Sequence, residues 1–184
     1  PRLKFVSLEV FVFDYIDLKD ASDYVIPVVI RHCSSTQSVV ELTIGHLLGS
    51  LRHIPQADRS LRSGEWAKSE FMGTELYGKR LGLIGFGRIA QGVARVAQAF
   101  GMEVHSYDPY LPPSIAKKFG VTLHKNVDNL FKTCTHISVH CNLTDETHHL
   151  INKKRINMMP GVDPFNLKCG NHIVNCARGG IVDE

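Results

Sequence analysis

The sequence predicts an α/β fold, a doubly wound parallel sheet with helices on both faces. Three observations carry that expectation. From residue 81 onward, short apolar runs alternate with helical patterns. The run Leu81-Gly82-Leu83-Ile84 enters a glycine turn, Gly85-Phe86-Gly87-Arg88-Ile89-Ala90, and a helical pattern follows at once. The next apolar run ends on an acid, Asp108. Strands that alternate with helices become parallel neighbours joined by right-handed crossovers, which leaves helices on both faces.

Taken in order, residues 1–34 are apolar and strand-like at Leu3, Phe5 and Val6 and again from Val25 to Ile30, around a more polar middle with no legible chemistry. Ser38-Val39-Val40-Glu41 reads as a capping box. The helix it opens carries Ile44, Leu47, Leu48, Leu51 and Ile54 on one stripe, and Pro55 interrupts it. A second helical piece runs to about Ser63 and stops at Gly64. Residues 65–79, with Trp66, Phe71, Gly73, Tyr77 and Gly78, form an irregular arm. Past the glycine turn, a helix over 88–100 buries Ile89, Val93, Ala97 and Phe100 and stops at Gly101. A strand over 102–107 follows, then a proline loop (Pro109, Pro112, Pro113) and a short helix ending at Gly120. The remaining expectations are a helix over 127–133, a strand over 136–140, a helical segment at about 147–158 and a strand over 172–176 that ends at Ala177-Arg178-Gly179-Gly180.

The 184 residues suffice for one domain and part of another, and 43% hydrophobic with 21% charged residues is an ordinary globular balance. A net charge of +3 argues against nucleic acid, and the one tight basic cluster, Lys153-Lys154-Arg155, reads as a solvated helix face. No run reaches membrane-spanning length and no signal peptide is visible. Cys33, Cys134, Cys141, Cys169 and Cys176 form no Cys-x-x-Cys pair and read as reduced thiols of a cytoplasmic protein. His136, His140, His148 and His149 crowd one region without zinc-site spacing, so no metal is expected.

The glycine turn, set between a strand and a helix, is a dinucleotide-binding fingerprint, and the sheet is expected to be Rossmann-like. Gly85 allows the tight turn, bare Gly87 lets main chain approach a pyrophosphate, and Ala90 is small enough for close helix packing. The amides of Arg88 and Ile89 point at the phosphates from a helix N-terminus. Asp108 accepts the adenosine ribose hydroxyls and repels a 2′-phosphate, which selects NAD over NADP. In such sheets the ligand crevice lies beyond the carboxyl ends of the strands. Gly85 to Ile89, Asp108, His140 to Asn142 and Asn175 to Arg178 therefore converge there. Arg178 either clamps a carboxylate in bidentate fashion and polarises a carbonyl, or forms a structural salt bridge to Asp183 or Glu184.

On these residues the chain resembles the D-2-hydroxyacid dehydrogenase family. The resemblance runs through SVVELTIGHLLGSLRHIPQADRSLRSGEW (38–66), ELYGKRLGLIGFGRIAQGVARVAQAFGMEVHSYDPY (75–110), ISVHCNLTDETHHLI (137–151) and IVNCARGGIVDE (173–184). It implies NAD-linked oxidation of a D-2-hydroxy acid to a 2-keto acid, with D-3-phosphoglycerate, at the entry to serine synthesis, as the foremost substrate. Other acids of the family (glyoxylate or hydroxypyruvate, D-lactate, formate) and a non-enzymatic NAD-sensing scaffold are the alternatives. The family pattern assigns cofactor contacts to Arg88, Ile89, Asp108, Cys141, Cys176, Ala177 and Arg178, beside Gly85 and Gly87 of the turn and His140 at its strand end, and gives Arg178 substrate binding and carbonyl polarisation. It makes residues 1–34 the tail of a substrate domain and 35–184 an NAD-binding domain incomplete at its C-terminus. It also implies a homodimer through residues 38–78.

The chain departs from the pattern in four places. Val10 and Val12 in Leu8-Glu9-Val10-Phe11-Val12-Phe13-Asp14 replace the glycines of an anion-binding loop, where valine resists positive φ and crowds a carboxylate. Asn142 replaces the proline of a His-x-Pro-Leu-Thr motif. About eight extra residues, including Pro164 to Gly170, precede the last strand and are expected to form a surface loop away from the crevice. The family's acid–base histidine, which takes the hydroxyl proton, and the glutamate that orients it have no match after Arg178. The chain is therefore expected to be a piece of a longer enzyme that binds NAD and turns over poorly alone.

Overall fold

The structure, a computed structural model, describes residues 3–8, 16–30 and 35–184. Val10, Val12 and Cys33 lie outside the described residues, and so does what they imply for substrate binding. The chain divides into two compact units, residues 1–38 and 39–184. In the first, β1 (Val6–Leu8) pairs in parallel with β2 (Val28–Ile30). Between them runs α1 (Leu18–Asp23), capped by Asp17, whose carboxylate accepts the amides of Lys19 and Asp20.

Helix α2 (Thr36–Leu51) starts ahead of Ser38, which corrects the capping-box expectation. Ser34, Ser35 and Thr36 all precede the box with hydroxyls of their own, so the cap signal is degenerate in register. Pro55 acts as expected. His53 takes φ 53° and α3 (Ile54–Arg62) restarts with Pro55 in its first turn, ending before Gly64 at φ 87°. Leu47 and Leu51 are buried, but Ile54 lies past the break and is exposed. The arm carries a 3-10 turn at Lys68–Phe71.

The second unit is built on five parallel strands, β3 (Arg80–Ile84), β4 (Glu103–Tyr107), β5 (Thr122–His124), β6 (His136–Val139) and β7 (His172–Asn175). Their spatial order is β5-β4-β3-β6-β7. After β3 the chain moves outward through β4 and β5, then crosses back to β6 on the other side. The order therefore reverses between β3 and β6, which opens a crevice above their carboxyl ends. Helices α4 (Arg88–Ala99), α5 (Pro113–Lys118), α6 (Val127–Thr133) and α7 (Lys153–Ile156) complete the unit.

Side chains alternate across the sheet and feed two cores. Leu81, Leu83 and Val104 join Leu47 and Leu51 of α2 and Val93 and Ala97 of α4 on one face. Ile84, Ile137 and Val139 join Leu130 and Phe131 of α6 on the other. Gly82 is required on that second face. A Cβ there would lie 2.7 Å from Ile137 Cδ1 and 2.9 Å from Leu130 Cγ, so a side chain would push α6 off the sheet.

Two further expectations need correction. Phe100 is 40% exposed, because it caps α4 beyond the helix's buried stripe. The helical segment expected at 147–158 shrinks to α7. His149 takes φ 50°, and the amides of His149 and Ile151 donate to Gly180 and Ile181 rather than along a helix. Of the basic cluster, Lys153 and Lys154 are solvated, while Arg155 turns in to Asp128 at 2.8 Å. The inserted loop near Pro164 does lie at the amino end of the sheet, with Phe165 and Leu167 exposed. Its base is nonetheless anchored. Buried Asp163 pairs with Lys79 at 2.8 Å and accepts the amides of Phe165 and Leu167. Lys79 and those amides hold the Asp163 carboxyl below the usual carboxylate range. Among the described residues, no helix is long and apolar enough to cross a membrane.

Candidate nucleotide-binding site

Strand register builds the rim of the crevice. Ile84 aligns with Tyr107 of β4 and Val139 of β6, and Val139 aligns with Asn175 of β7. The residue after each is Gly85, Asp108, His140 and Cys176, so four of the sequence-derived positions stand side by side where the strands end.

Gly85 takes φ 84°, and its amide donates to Tyr107 O at 2.9 Å. A Cβ on it would meet the His140 carbonyl at 3.0 Å and the Cys141 amide at 3.1 Å. Those neighbours are main chain and cannot rotate away, so two independent constraints select glycine. Phe86 is buried edge-on against Phe119. Its carbonyl accepts Gln91 Nε2 at 3.1 Å, which closes the turn from the helix side.

Gly87 is different. It is the cap residue of α4 with φ −74° and ψ −170°, no side chain caps the helix, and a Cβ there would meet nothing within 4 Å. The first-turn amides of a helix have no intrahelical acceptor, and beside them lies the open space where a Gly87 side chain would stand. Ala90 is fully buried, consistent with a small residue seating α4 on the sheet. A dinucleotide pyrophosphate fits this cradle: bare main chain, a twelve-residue helix behind it and room where a side chain would stand.

Asp108 does more than the sequence suggests. Oδ2 accepts the Phe86 amide and Oδ1 the Tyr110 amide, both at 2.9 Å. The carboxylate thus ties β4 to the glycine turn, while each oxygen keeps a second acceptor site for a ribose hydroxyl. The spacing between turn and acid is legible in sequence; the tie is not.

His140 donates its amide to Ile84 O at 2.8 Å, and its Nε2 lies 2.9 Å from Ser138 Oγ. Burial lowers its pKa to about 4, so the ring is neutral at pH 7. Burial likewise raises the Cys141 thiol, which acts as a small half-buried apolar group. Cys176 packs against one core and Ala177 against the other. The carbonyl of Asn142, which stands at the proline position, accepts Thr147 Oγ1 at 2.6 Å. Arg178 is half-buried, with Nη1 donating to Ala177 O at 2.6 Å. Asp183 bonds through its amide to Ile151 O and lies 3.8 Å from His149 Nδ1. Sequence reasoning brings Asn175 to the crevice at its strand end but gives its side chain no role, although an Asn just before a Gly-rich turn is an Asx-turn signal.

The crowded histidines disperse. His136 stacks on His172, His148 stacks on His149 and His140 turns to Ser138. Among the described residues, no three His, Cys, Asp or Glu side chains are placed to share a metal ion.

The family model for the D-isomer specific 2-hydroxyacid dehydrogenase NAD binding domain matches residues 44–184. The chain is 43% identical over its full length to D-3-phosphoglycerate dehydrogenase of Methanocaldococcus jannaschii, of which it covers 33%. It is 42% identical to hydroxypyruvate reductase of Thermotoga maritima, of which it covers 56%. Among solved structures, D-lactate dehydrogenase of Aquifex aeolicus complexed with NAD and lactic acid matches all of the chain with TM-score 0.81 and 33% identity, over 52% of that protein. A Granulicella formate dehydrogenase matches 98% of the chain with TM-score 0.86 and 26% identity, over 46% of that protein. The chain therefore spans between a third and somewhat over half the length of these relatives.

Proposed function

The chain belongs to the D-isomer specific 2-hydroxyacid dehydrogenase family, of which it holds the NAD-binding domain, and from that footing we propose that the whole protein oxidises D-3-phosphoglycerate to 3-phosphohydroxypyruvate at the entry to serine synthesis. The observation that carries the reading is the rim of Gly85, Asp108, His140 and Cys176 with Arg178 just beyond it. The choice of substrate is supported by relatives named D-3-phosphoglycerate dehydrogenase at 40–43% identity over most or all of the chain. Hydroxypyruvate reduction is the second reading, favoured by a relative 42% identical of which the chain covers the larger share, 56%. A substrate panel on the whole protein, with turnover of D-3-phosphoglycerate far above the other acids, tests the first against the second.

NAD, when bound, supplies the hydride acceptor. The chain's own residues bind and orient. The amides at Gly87, Arg88 and Ile89 receive the pyrophosphate, and Asp108 accepts the ribose hydroxyls. His140, Cys141, Cys176 and Ala177 line the nicotinamide side. Arg178 would hold the substrate carboxylate and stabilise the negative charge that the hydroxyl oxygen takes on as its proton leaves. Residues 1–34 are assigned to a substrate domain and 35–184 to the nucleotide domain. The cytoplasm is the proposed location, supported by the unpaired thiols of Cys134, Cys141, Cys169 and Cys176.

Asp108→Asn keeps an acceptor for one of the two main-chain amides that Asp108 receives and removes the charge facing the 2′ position. Relative affinity for NADP over NAD is expected to rise roughly tenfold, about 1.4 kcal/mol. Competitive titration of the two nucleotides measures it, and an unchanged ratio removes Asp108 from cofactor selection.

The helices and arm over 38–78 are proposed to pack against a second copy of the chain. Leu61, Trp66 and Met72 are 57%, 80% and 83% exposed, more apolar surface than one short arm can leave in water without cost. Trp66→Glu is expected to shift the whole protein from dimer to monomer in light-scattering chromatography. A dimer that persists in Trp66→Glu and in Leu61→Glu assigns the arm no such role.

A further inference from the structure

We propose that Asn175 is a positioning residue that sets the plane of the Arg178 guanidinium for the substrate carboxylate; this rests on the role given to Arg178 above. Asn175 is the last residue of β7, and both ends of its side-chain amide are engaged. Oδ1 accepts the Ala177 amide at 3.0 Å, and Nδ2 donates to the Arg178 carbonyl at 2.8 Å. A main-chain N–H can only donate and a carbonyl can only accept, so these partners dictate which way the amide faces.

The two bonds hold the peptides on either side of the one that joins Ala177 to Arg178. The carbonyl of that middle peptide accepts Arg178 Nη1 at 2.6 Å. With its neighbours held, this carbonyl cannot turn away, and the guanidinium it receives is confined. A bidentate clamp depends on that plane, because the two parallel N–H donors must meet both carboxylate oxygens together. Beyond Arg178 the chain is anchored again at Gly180, whose carbonyl accepts the His149 amide, and at buried Ile181. Asn175 supplies the restraint from the strand side.

An ordinary Asx turn needs only the Oδ1 bond, which aspartate supplies equally well. The Nδ2 bond requires an amide. Aspartate would set a carboxylate oxygen against the Arg178 carbonyl oxygen and place a negative charge beside the guanidinium. Asn175→Asp therefore separates turn formation from positioning. Asn175 is exposed at the end of β7, so neither this variant nor Asn175→Ala opens either core of the described unit.

The experiment compares wild type, Asn175→Asp, Asn175→Ala and Arg178→Ala in the whole protein, with D-3-phosphoglycerate and NAD. It reads kcat and KM for the acid, NAD affinity and melting temperature. Both Asn175 variants are expected to lose roughly tenfold to hundredfold in kcat/KM for the acid, with NAD affinity and melting close to wild type. Wild-type kcat/KM in Asn175→Asp overturns the proposal and leaves only a turn. A loss of activity matched by lost NAD binding or a lowered melting temperature overturns it as well. If Arg178→Ala is as active as wild type, the role of Arg178 itself is wrong. If Arg178→Ala fails while both Asn175 variants are normal, that role stands and the positioning claim alone is refuted.

Discussion

Arg178→Ala in the whole protein is expected to lower kcat by roughly 10²–10³-fold while NAD still binds. That is the size of effect seen when one preorganised donor to a developing oxyanion is removed. β7 ends level with β3, β4 and β6, and the chain then turns so that a half-buried guanidinium stands beyond the row where the nucleotide site opens. A planar cation there can hold a carboxylate through two bonds and still draw charge from a neighbouring carbonyl oxygen. Arg178→Lys keeps the charge but loses the fork, so it is expected to recover only a small part of the activity. Because the interaction strengthens as the oxyanion forms, kcat and kcat/KM fall together in the alanine variant. Near-normal turnover returns Arg178 to the structural salt bridge that its sequence position equally allows.

Much of this site was legible in the sequence because its parts are local. A glycine pair between a strand and a helix, and an acid at the tip of the next strand, specify backbone geometry within thirty or so residues of one another. The alternation of apolar runs was enough for a parallel sheet with two cores, and Pro55 and Gly64 marked the helix breaks where they occur. What escaped depends on contacts between distant segments. The segment after Asn142 looks helical by composition, yet its amides pair with residues near Gly180. Phe100 fits an apolar stripe, yet falls just past the end of α4. The bond between Asp108 and the Phe86 amide links strand and turn, and no pattern in either segment announces it. The inserted loop reads as surface because it enters at the amino end of its strand, away from the crevice. Its buried Asp163 is explained only by Lys79, far away in sequence.

The two glycines of the fingerprint make unequal probes. At Gly85, any side chain is strained by the positive φ and strikes main chain, so loss of binding there is entangled with loss of structure. At Gly87 the backbone suits any residue, and open space receives the side chain. Aspartate is among the best caps a helix can have, and its charge complements the helix dipole. Gly87→Asp is therefore expected to keep or raise the melting temperature. The same carboxylate would stand against the first-turn amides where the pyrophosphate is held. Repulsion between charges about 4 Å apart at a protein surface is worth some kcal/mol, so NAD affinity is expected to fall at least roughly a hundredfold. Stability and binding thus move in opposite directions, which general damage to the fold does not produce.

The central claim is that the dinucleotide phosphates rest on bare main chain where β3 turns into α4. Calorimetric titration of the 184-residue chain with NAD, wild type beside Gly87→Asp, tests it most directly. Wild type is expected to give a saturable heat and the variant none, with the variant melting at or above the wild-type temperature. Equal affinity in the two would contradict it.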